Sequence, residues 1–95
     1  MLKSKFIVVD GLEGAGKSTA LHSIENFLRQ NGVADVQCCR EPGGTVLGEN
    51  IRTLIKDPAL QEVVDPRTEL LLMYASRIQL VENVIKPALA AGKWV

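Results

Sequence analysis

The stretch Gly11-Leu12-Glu13-Gly14-Ala15-Gly16-Lys17-Ser18 fits the pattern G-x-x-x-x-G-K-[ST] at every fixed position. It follows Lys5-Phe6-Ile7-Val8-Val9, an apolar and β-branched run that predicts a buried strand. A helical pattern comes next, with apolar residues at intervals of three and four, and it stops near Asn31-Gly32. A strand, a glycine-rich loop and a helix in this order are the context in which the pattern binds phosphate.

The residue types in this loop suit a nucleoside triphosphate and its metal ion. The glycines let successive N–H groups face one anion, and the helix that begins near Lys17 adds the positive end of its dipole. The Lys17 ammonium can bridge the β- and γ-phosphates, and the Ser18 hydroxyl suits Mg²⁺, which prefers oxygen. We therefore predict that a nucleoside triphosphate and Mg²⁺ are bound here, with Ser18 as the metal ligand, by Gly11, Leu12, Glu13, Gly14, Ala15, Gly16, Lys17, Ser18 and Thr19.

Glu13 is an unusual residue for a phosphate-binding loop, because its carboxylate repels phosphate. It fits the loop if it points away, toward a second substrate or a metal-bound water, and a solvated loop carboxylate is the alternative. We predict Lys17 and Glu13 as the catalytic residues of this segment. The motif alone does not separate kinases from GTPases or partition-type ATPases.

The rest of the chain alternates strand and helix patterns. Strands are predicted over Val33–Cys39 and from Lys93 onward. Helices are predicted from about Val46 to Ile55 and from Asp65-Pro66 to Pro87, which kinks or ends the second one. This order predicts an α/β fold, a parallel β-sheet flanked by helices. The third strand stops on its third residue, so we expect residues 1–95 to be the amino-terminal part of a single domain.

Composition and charge exclude several classes of protein. The 95 residues carry 11 Lys and Arg against 11 Asp and Glu, so no net positive field attracts nucleic acid or an anionic membrane. No apolar run approaches the roughly 18 residues that span a bilayer. The adjacent Cys38 and Cys39 are predicted to be reduced packing residues on a strand. We expect a cytoplasmic protein without nucleic-acid or membrane partners.

Four segments together closely resemble bacterial thymidylate kinase. The resemblance covers the whole chain, which would be roughly the first half of such an enzyme. The loop motif is shared by many families, whereas the string R-E-P-G-G-T at this place is much more specific. The segments are Asp10 to Ser18, Arg40-Glu41-Pro42-Gly43-Gly44-Thr45, Gly48-Glu49-Asn50-Ile51-Arg52, and Glu69 to Arg77.

The resemblance implies a P-loop kinase fold, usually homodimeric, that moves the γ-phosphoryl group of ATP onto dTMP. Lys17 and the loop backbone would hold the donor phosphates, and Glu13 would lie close to the sugar and phosphate of the acceptor. Arg52 would lie near the acceptor phosphate, and Arg77 would reach the thymine edge. The substrate-binding residues that the resemblance implies are Asp10, Glu41, Pro42, Arg52, Met73, Tyr74 and Arg77.

The residues themselves leave alternatives for several of these roles. Arg77 is the lone cation of an apolar helical stripe, so it needs a polar base edge or, as the alternative, an internal salt bridge. Arg52 could equally lie on a solvated helix face. Arg40 could pair with Glu41, Glu49 or a substrate. Glu41-Pro42 could be a plain loop terminator, with a cis bond as one possibility.

The chain departs from the family pattern at two positions. Met73 stands where Phe often stacks on the base, so either Met73 or Tyr74 could cover the ring, and Asp10 stands where Glu is common. The D-R motif, the lid arginine and the adenine-binding loop of the family fall beyond Val95. The isolated 95-residue segment is therefore predicted to be inactive.

Two other functions are alternatives to the predicted thymidylate kinase activity. One is another P-loop phosphotransferase, such as a deoxynucleoside kinase. The other is a nucleotide-dependent switch ATPase or GTPase. A switch needs a DxxG or NKxD element to sense the γ-phosphate or read guanine, and the sequence contains neither. The kinase is therefore the favoured prediction.

Overall fold

The computed structural model of the chain describes residues 5–11 and 14–95. Its helical elements are, in order, α1 (Lys17–Gln30), α2 (Val46–Lys56), α3 (Pro66–Leu80), a π-helical turn (Val81–Ile85) and α4 (Lys86–Ala90). The three predicted helices are confirmed, and each begins close to the residue that the sequence indicates. None of the helices in this described part is long and apolar enough to cross a membrane.

Two of the helices begin at side-chain caps. The Thr45 hydroxyl accepts a hydrogen bond from the Gly48 N–H at 2.9 Å, at the start of α2. The Asp65 carboxylate accepts one from the Arg67 N–H at 2.8 Å, and Pro66 occupies the first turn of α3, where its missing N–H is not needed. Such caps satisfy N–H groups that have no partner inside the helix. The starts of α2 and α3 are therefore encoded locally.

The long helix continues past Pro87. Between Val81 and Ile85 it widens into the π-helical turn, in which the Lys86 N–H donates to the Val81 carbonyl. Proline lacks an N–H, and its ring crowds the carbonyl four residues earlier, so an unbroken α-helix is unfavourable here. The wide turn accommodates this defect, and α4 continues to Ala90. The sequence predicted that Pro87 would either kink or end this helix. The prediction that the helix ends there is wrong.

The predicted sheet is present only as short pairings within residues 5–11 and 14–95. Val36 and Trp94 form an isolated parallel bridge, and the Gln37 N–H donates to the Trp94 carbonyl at 2.7 Å. On the other side, the Ile7 N–H donates to the Val95 carbonyl at 2.8 Å. Only Trp94 and Val95 of the middle segment take part in these pairings, and no regular ladder forms among the described residues. The predicted parallel direction is observed at this bridge, but the regular strands are not.

The helices provide most of the packing in the described residues. Helix α2 packs against α3, and the two helices contribute Ile51 and Leu80 to the buried apolar set. The side chain of Ser76, also on α3, is fully buried. The other buried apolar residues are Leu28, Ile85 and Ala88. The α2–α3 pair is thus the scaffold beside which the 40–44 loop lies.

Cys38 and Cys39 form no disulfide in the described residues, and Cys38 is not a packing residue, contrary to the prediction. It is exposed, and its thiol donates to the Glu25 carboxylate of α1 at 3.1 Å. Arg29 contacts the same carboxylate at 3.1 Å and donates to the Ala34 carbonyl at 2.9 Å. These contacts connect α1 to the segment that precedes the 40–44 loop. Partial desolvation and the neighbouring Glu25 carboxylate raise the pKa of the Cys38 thiol from 9.0 to about 11.

We expect the Cys38 thiol to react slowly with iodoacetamide at pH 8, because only the thiolate is nucleophilic and the raised pKa keeps the thiol protonated. In a Cys39→Ser background, the rate should keep rising with pH from 9.0 to about 11. Glu25→Ala should increase the rate at pH 8, since it removes the neighbouring carboxylate. Mass spectrometry of the alkylated protein measures these rates. An unchanged rate in the Glu25 variant would show that this carboxylate does not control the thiol.

Candidate active site

The phosphate-binding loop lies between the first extended segment and α1. The Gly11 N–H donates to the Asp10 carboxylate at 2.8 Å, and the Lys17 ammonium donates to the Gly11 carbonyl at 2.6 Å. Gly16, the residue before α1, has φ of 87°, a left-handed conformation that favours glycine. The backbone thus turns sharply into the helix, and Lys17 reaches back across the loop. An ammonium in this position can meet an anion that the loop binds.

The structure places most of the predicted donor-site residues at one end of α1. Ser18 and Thr19 lie in its first turn and are exposed, as are Gly14, Ala15 and Gly16 before it. These residues can therefore contact a ligand from solvent. Leu12 and Glu13 lie outside the described residues, so the catalytic role of Glu13 stays a prediction.

A second group of predicted residues lines an open cleft of about 100 Å³ beside α3. The cleft brings together residues from the loop after the second extended segment and from one face of α3. Leu70, which the sequence did not indicate as a site residue, also lines it. The lining residues are Glu41, Pro42, Leu70, Met73, Tyr74 and Arg77. Four of the lining positions therefore lie on α3, at the three- and four-residue spacing of one helix face.

Arg77 forms a bidentate ion pair with Glu41 in this cleft. Its Nε and Nη2 donate to the two carboxylate oxygens at 2.8 and 3.0 Å, and its guanidinium lies 5.5 Å from the centre of the Tyr74 ring. The Arg77 side chain is 54% exposed, so the internal salt bridge forms at the surface. The hydrogen bonds to Glu41 raise the pKa of Arg77, and the Asp10 carboxylate adds a smaller upward shift.

Arg52 and Arg40 both contact the loop or the helix beside it. Arg52 donates to the Pro42 carbonyl at 3.1 Å and is half-buried, so it does not lie on a plain solvated face. Arg40 pairs with Glu49 at 2.8 Å, one of the three partners that the sequence left open. The peptide bond between Glu41 and Pro42 is cis. The hydrogen bonds from Arg40 and from the Gly44 N–H lower the pKa of Glu49 to about 2.

Sequence reasoning missed three residues that shape this site. Glu49 was considered only as a partner of Arg40, although it also accepts the Gly44 N–H at 3.0 Å. Ser76 accepts the Gly43 N–H at 3.0 Å from a fully buried position. Leu70 lines the cleft. Leu70 precedes Met73 and Arg77 by three and seven residues, so helical spacing could have identified it.

Comparisons with known proteins agree with this arrangement. The family model for thymidylate kinase matches residues 9–95. The chain is 57% identical over all 95 residues to the thymidylate kinase of Vibrio parahaemolyticus and 56% identical to that of Wigglesworthia glossinidia brevipalpis. It spans 45% and 41% of the lengths of those two proteins. A family model that covers nearly the whole chain, and relatives with this identity, identify the chain as a member of the thymidylate kinase family, whose domain has a P-loop kinase fold.

Proposed function

We propose that the protein of which residues 1–95 form a part transfers the γ-phosphoryl group of ATP to dTMP. An oxygen of the dTMP phosphate forms the new bond to the γ-phosphorus, the bond from that phosphorus to the β-phosphate oxygen breaks, and dTDP and ADP are released. The observation that carries the proposal is the pairing of a phosphate-binding loop with an open cleft beside α3 that is lined by Glu41, Tyr74 and Arg77.

The donor phosphates would bind the loop backbone and Lys17. The ammonium already lies over the loop, 2.6 Å from the Gly11 carbonyl, and it has further N–H donors for phosphate oxygens. Positive charge at this place stabilises the negative charge that moves with the phosphoryl group. No dedicated cluster of three acidic, His or Cys side chains is found among residues 5–11 and 14–95. An exposed Ser18 hydroxyl instead suits Mg²⁺ that arrives with ATP, since this ion binds through few protein oxygens and the substrate phosphates, whose charge it neutralises.

The acceptor nucleotide would bind in the cleft beside α3. Met73 and Tyr74 would cover the thymine ring, and Glu41-Pro42 would close the opposite wall. A guanidinium has more N–H groups than the Glu41 pair uses, so Arg77 can also donate to a polar base edge. Arg52 would contribute positive charge toward the acceptor phosphate, and Glu13 would lie near the sugar and phosphate. Asp10 would complete the acidic side of the site.

The remaining expectations about the whole protein belong to the same proposal. We propose that residues 1–95 are the amino-terminal part of a single kinase domain whose parallel sheet extends beyond the pairings seen here. The parallel bridge between Val36 and Trp94 supports this topology. We further propose a homodimer in the cytoplasm, without nucleic-acid or membrane partners, in keeping with the equal numbers of acidic and basic residues.

The product of the complete gene that encodes residues 1–95, hereafter the full gene product, should phosphorylate dTMP well ahead of dCMP and dGMP. A site that hydrogen-bonds one base edge leaves polar groups unpaired with another, and this discriminates strongly. Arg77→Ala should lower kcat/KM for dTMP by about 100-fold, because it removes charged hydrogen-bond donors, and it should reduce the preference. Steady-state kinetics with each nucleotide varied in turn measures both effects.

Arg67→Ala is the matched control for the Arg77 variant. Arg67 is also an arginine of α3 in an ion pair, with Asp65 at 3.1 Å, but it does not line the cleft. It should change kcat/KM by less than about twofold, as surface substitutions away from a site usually do. Equal activity on all four deoxynucleoside monophosphates would contradict the assignment of dTMP as acceptor while leaving the donor site intact.

A further inference from the structure

The five residues of the 40–44 loop are all held by side chains of α2 or α3. Glu49 of α2 accepts hydrogen bonds from Arg40 and Gly44, and Arg52 of α2 donates to Pro42. On the other side, Arg77 of α3 pairs with Glu41, and Ser76 accepts from Gly43. The loop therefore has a side-chain anchor at each consecutive residue. Only one of these residues, Glu41, contacts the base-reading arginine of the proposed acceptor site.

Ser76 provides the most protected of these anchors. Its side chain is completely buried, and its hydroxyl accepts the Gly43 N–H at 3.0 Å in a buried hydrogen bond. A buried N–H that loses its acceptor is left without water or protein to replace it, which is costly. Ser76 also directly precedes Arg77 in α3. Two neighbouring helix residues thus hold the backbone and the carboxylate of the same loop.

Glu49 provides the anchor on the side of α2. One of its carboxylate oxygens accepts from the Gly44 N–H at 3.0 Å, and the other accepts from Arg40 at 2.8 Å. The loop lies close against this carboxylate: a methyl group at Gly43, where φ is 139°, would approach a Glu49 oxygen to 2.6 Å. The fit of the loop onto Glu49 therefore depends on glycine at position 43.

The Arg77–Glu41 and Arg40–Glu49 ion pairs cannot by themselves fix the loop, because all four side chains are more than one-third exposed and such pairs contribute little. Glu49 holds the loop backbone through its hydrogen bond from the Gly44 N–H. We propose that Ser76 and Glu49 are positioning residues of the acceptor site, which hold the 40–44 loop so that the Glu41 carboxylate orients Arg77 toward the base. This inference rests on the proposed function. Neither Ser76 nor Glu49 lines the cleft, and yet we expect both to affect KM for dTMP specifically.

The test uses Ser76→Ala and Glu49→Gln in the full gene product. Each variant should raise KM for dTMP by about tenfold, the effect of one lost hydrogen bond of this kind. KM for ATP should change by less than about twofold, because the donor loop lies on a different element. Glu82→Gln is the matched control for Glu49→Gln, since it removes a helix-borne ion pair, with Lys86 at 2.7 Å, away from the loop. It should leave both KM values unchanged.

A double-mutant cycle with Arg77→Ala separates positioning from a general loss of structure. If Ser76 and Glu49 act through Arg77, substituting either residue should raise KM for dTMP by less than about twofold when Arg77 is already alanine. A merely structural effect would multiply with that of Arg77→Ala. Because Ser76→Ala leaves a buried N–H without its acceptor and could unfold the protein, Glu49→Gln at the surface carries the test in that case, with circular dichroism confirming the fold.

Three outcomes would overturn the inference. The first is an equal rise of KM for dTMP and ATP, and the second is full multiplication of the effects in the cycle. The third is an unchanged KM for dTMP in both variants of a protein that phosphorylates dTMP normally. In that third case the proposed function stands and the positioning inference alone fails. A wild-type full gene product that does not phosphorylate dTMP would overturn both together.

Discussion

Lys17→Ala in the full gene product should reduce kcat for dTDP formation by about 1000-fold, the scale seen when a main stabiliser of transition-state charge is removed. The Lys17 ammonium lies over the phosphate-binding loop, at 2.6 Å from the Gly11 carbonyl. Removing it leaves the backbone N–H groups, which bind the ground-state phosphates but cannot follow the charge as it moves. The effect should therefore fall on kcat much more than on KM for dTMP. Single-turnover measurements with saturating ATP and dTMP would establish the size of the loss.

Lys86→Ala is the control for this experiment. Lys86 is a lysine at the start of α4 that pairs with Glu82 at the surface, and its loss should leave turnover within about twofold of wild type. Near-normal turnover of the Lys17 variant would show that the donor assignment is wrong. A loss in both variants would instead indicate damage to the fold, which circular dichroism would reveal.

Residues 1–95 expressed alone should form no dTDP from ATP and dTMP above the rate without protein. The buried apolar residues of the described part are few: Leu28, Ile51, Leu80, Ile85 and Ala88. Large apolar side chains such as Val63 and Val46 are 94% and 83% exposed. A segment with so small a core is marginally stable at best. The resemblance to the family also implies a lid arginine and an adenine-binding loop, which none of the four matching segments supplies.

The experiment assays the 95-residue segment beside the full gene product, at equal concentration and with the same substrates. Circular dichroism reports whether the segment retains its helices, so that loss of structure and loss of catalytic groups can be distinguished. A folded segment without activity would support the view that essential residues lie elsewhere. A segment that turns over dTMP would contradict it, and would require all catalytic groups to lie within these 95 residues.

The helices were predictable because their signals are local. Thr45 and Asp65-Pro66 are caps that act within one turn, and the apolar spacing of each helix lies within the helix itself. The regular strands were not confirmed, because a strand depends on its neighbour rather than on its own residues. Val36 and Trp94 pair across 58 positions of the chain, and only Trp94 and Val95 of that segment take part in the pairing. A pattern of β-branched residues predicts a strand but not the length of its pairing.

The site could be predicted in part. The G-x-x-x-x-G-K-[ST] loop and the R-E-P-G-G-T string identified residues that the structure places at the start of α1 and around the cleft. Which partner each charged residue takes could not be predicted, because Arg40 and Arg77 each had several carboxylates within reach along the chain. In the folded structure Arg40 pairs with Glu49, and Arg77 pairs with Glu41. The sequence did not indicate a role for Ser76, because a serine within a helical pattern does not reveal whether its side chain is buried or exposed.

The π-helical turn at Val81–Ile85 changes the direction in which successive side chains point around the axis of one continuous helix. An α-helix advances about 100° per residue, so one extra residue in a turn rotates everything after it by roughly that angle. A helical wheel drawn from Met73 to Leu89 with α-helical spacing therefore places the residues after the turn on the wrong side of the helix. The face that holds the 40–44 loop and the residues after the turn are therefore offset by a fixed angle from the arrangement that an unbroken α-helix would give.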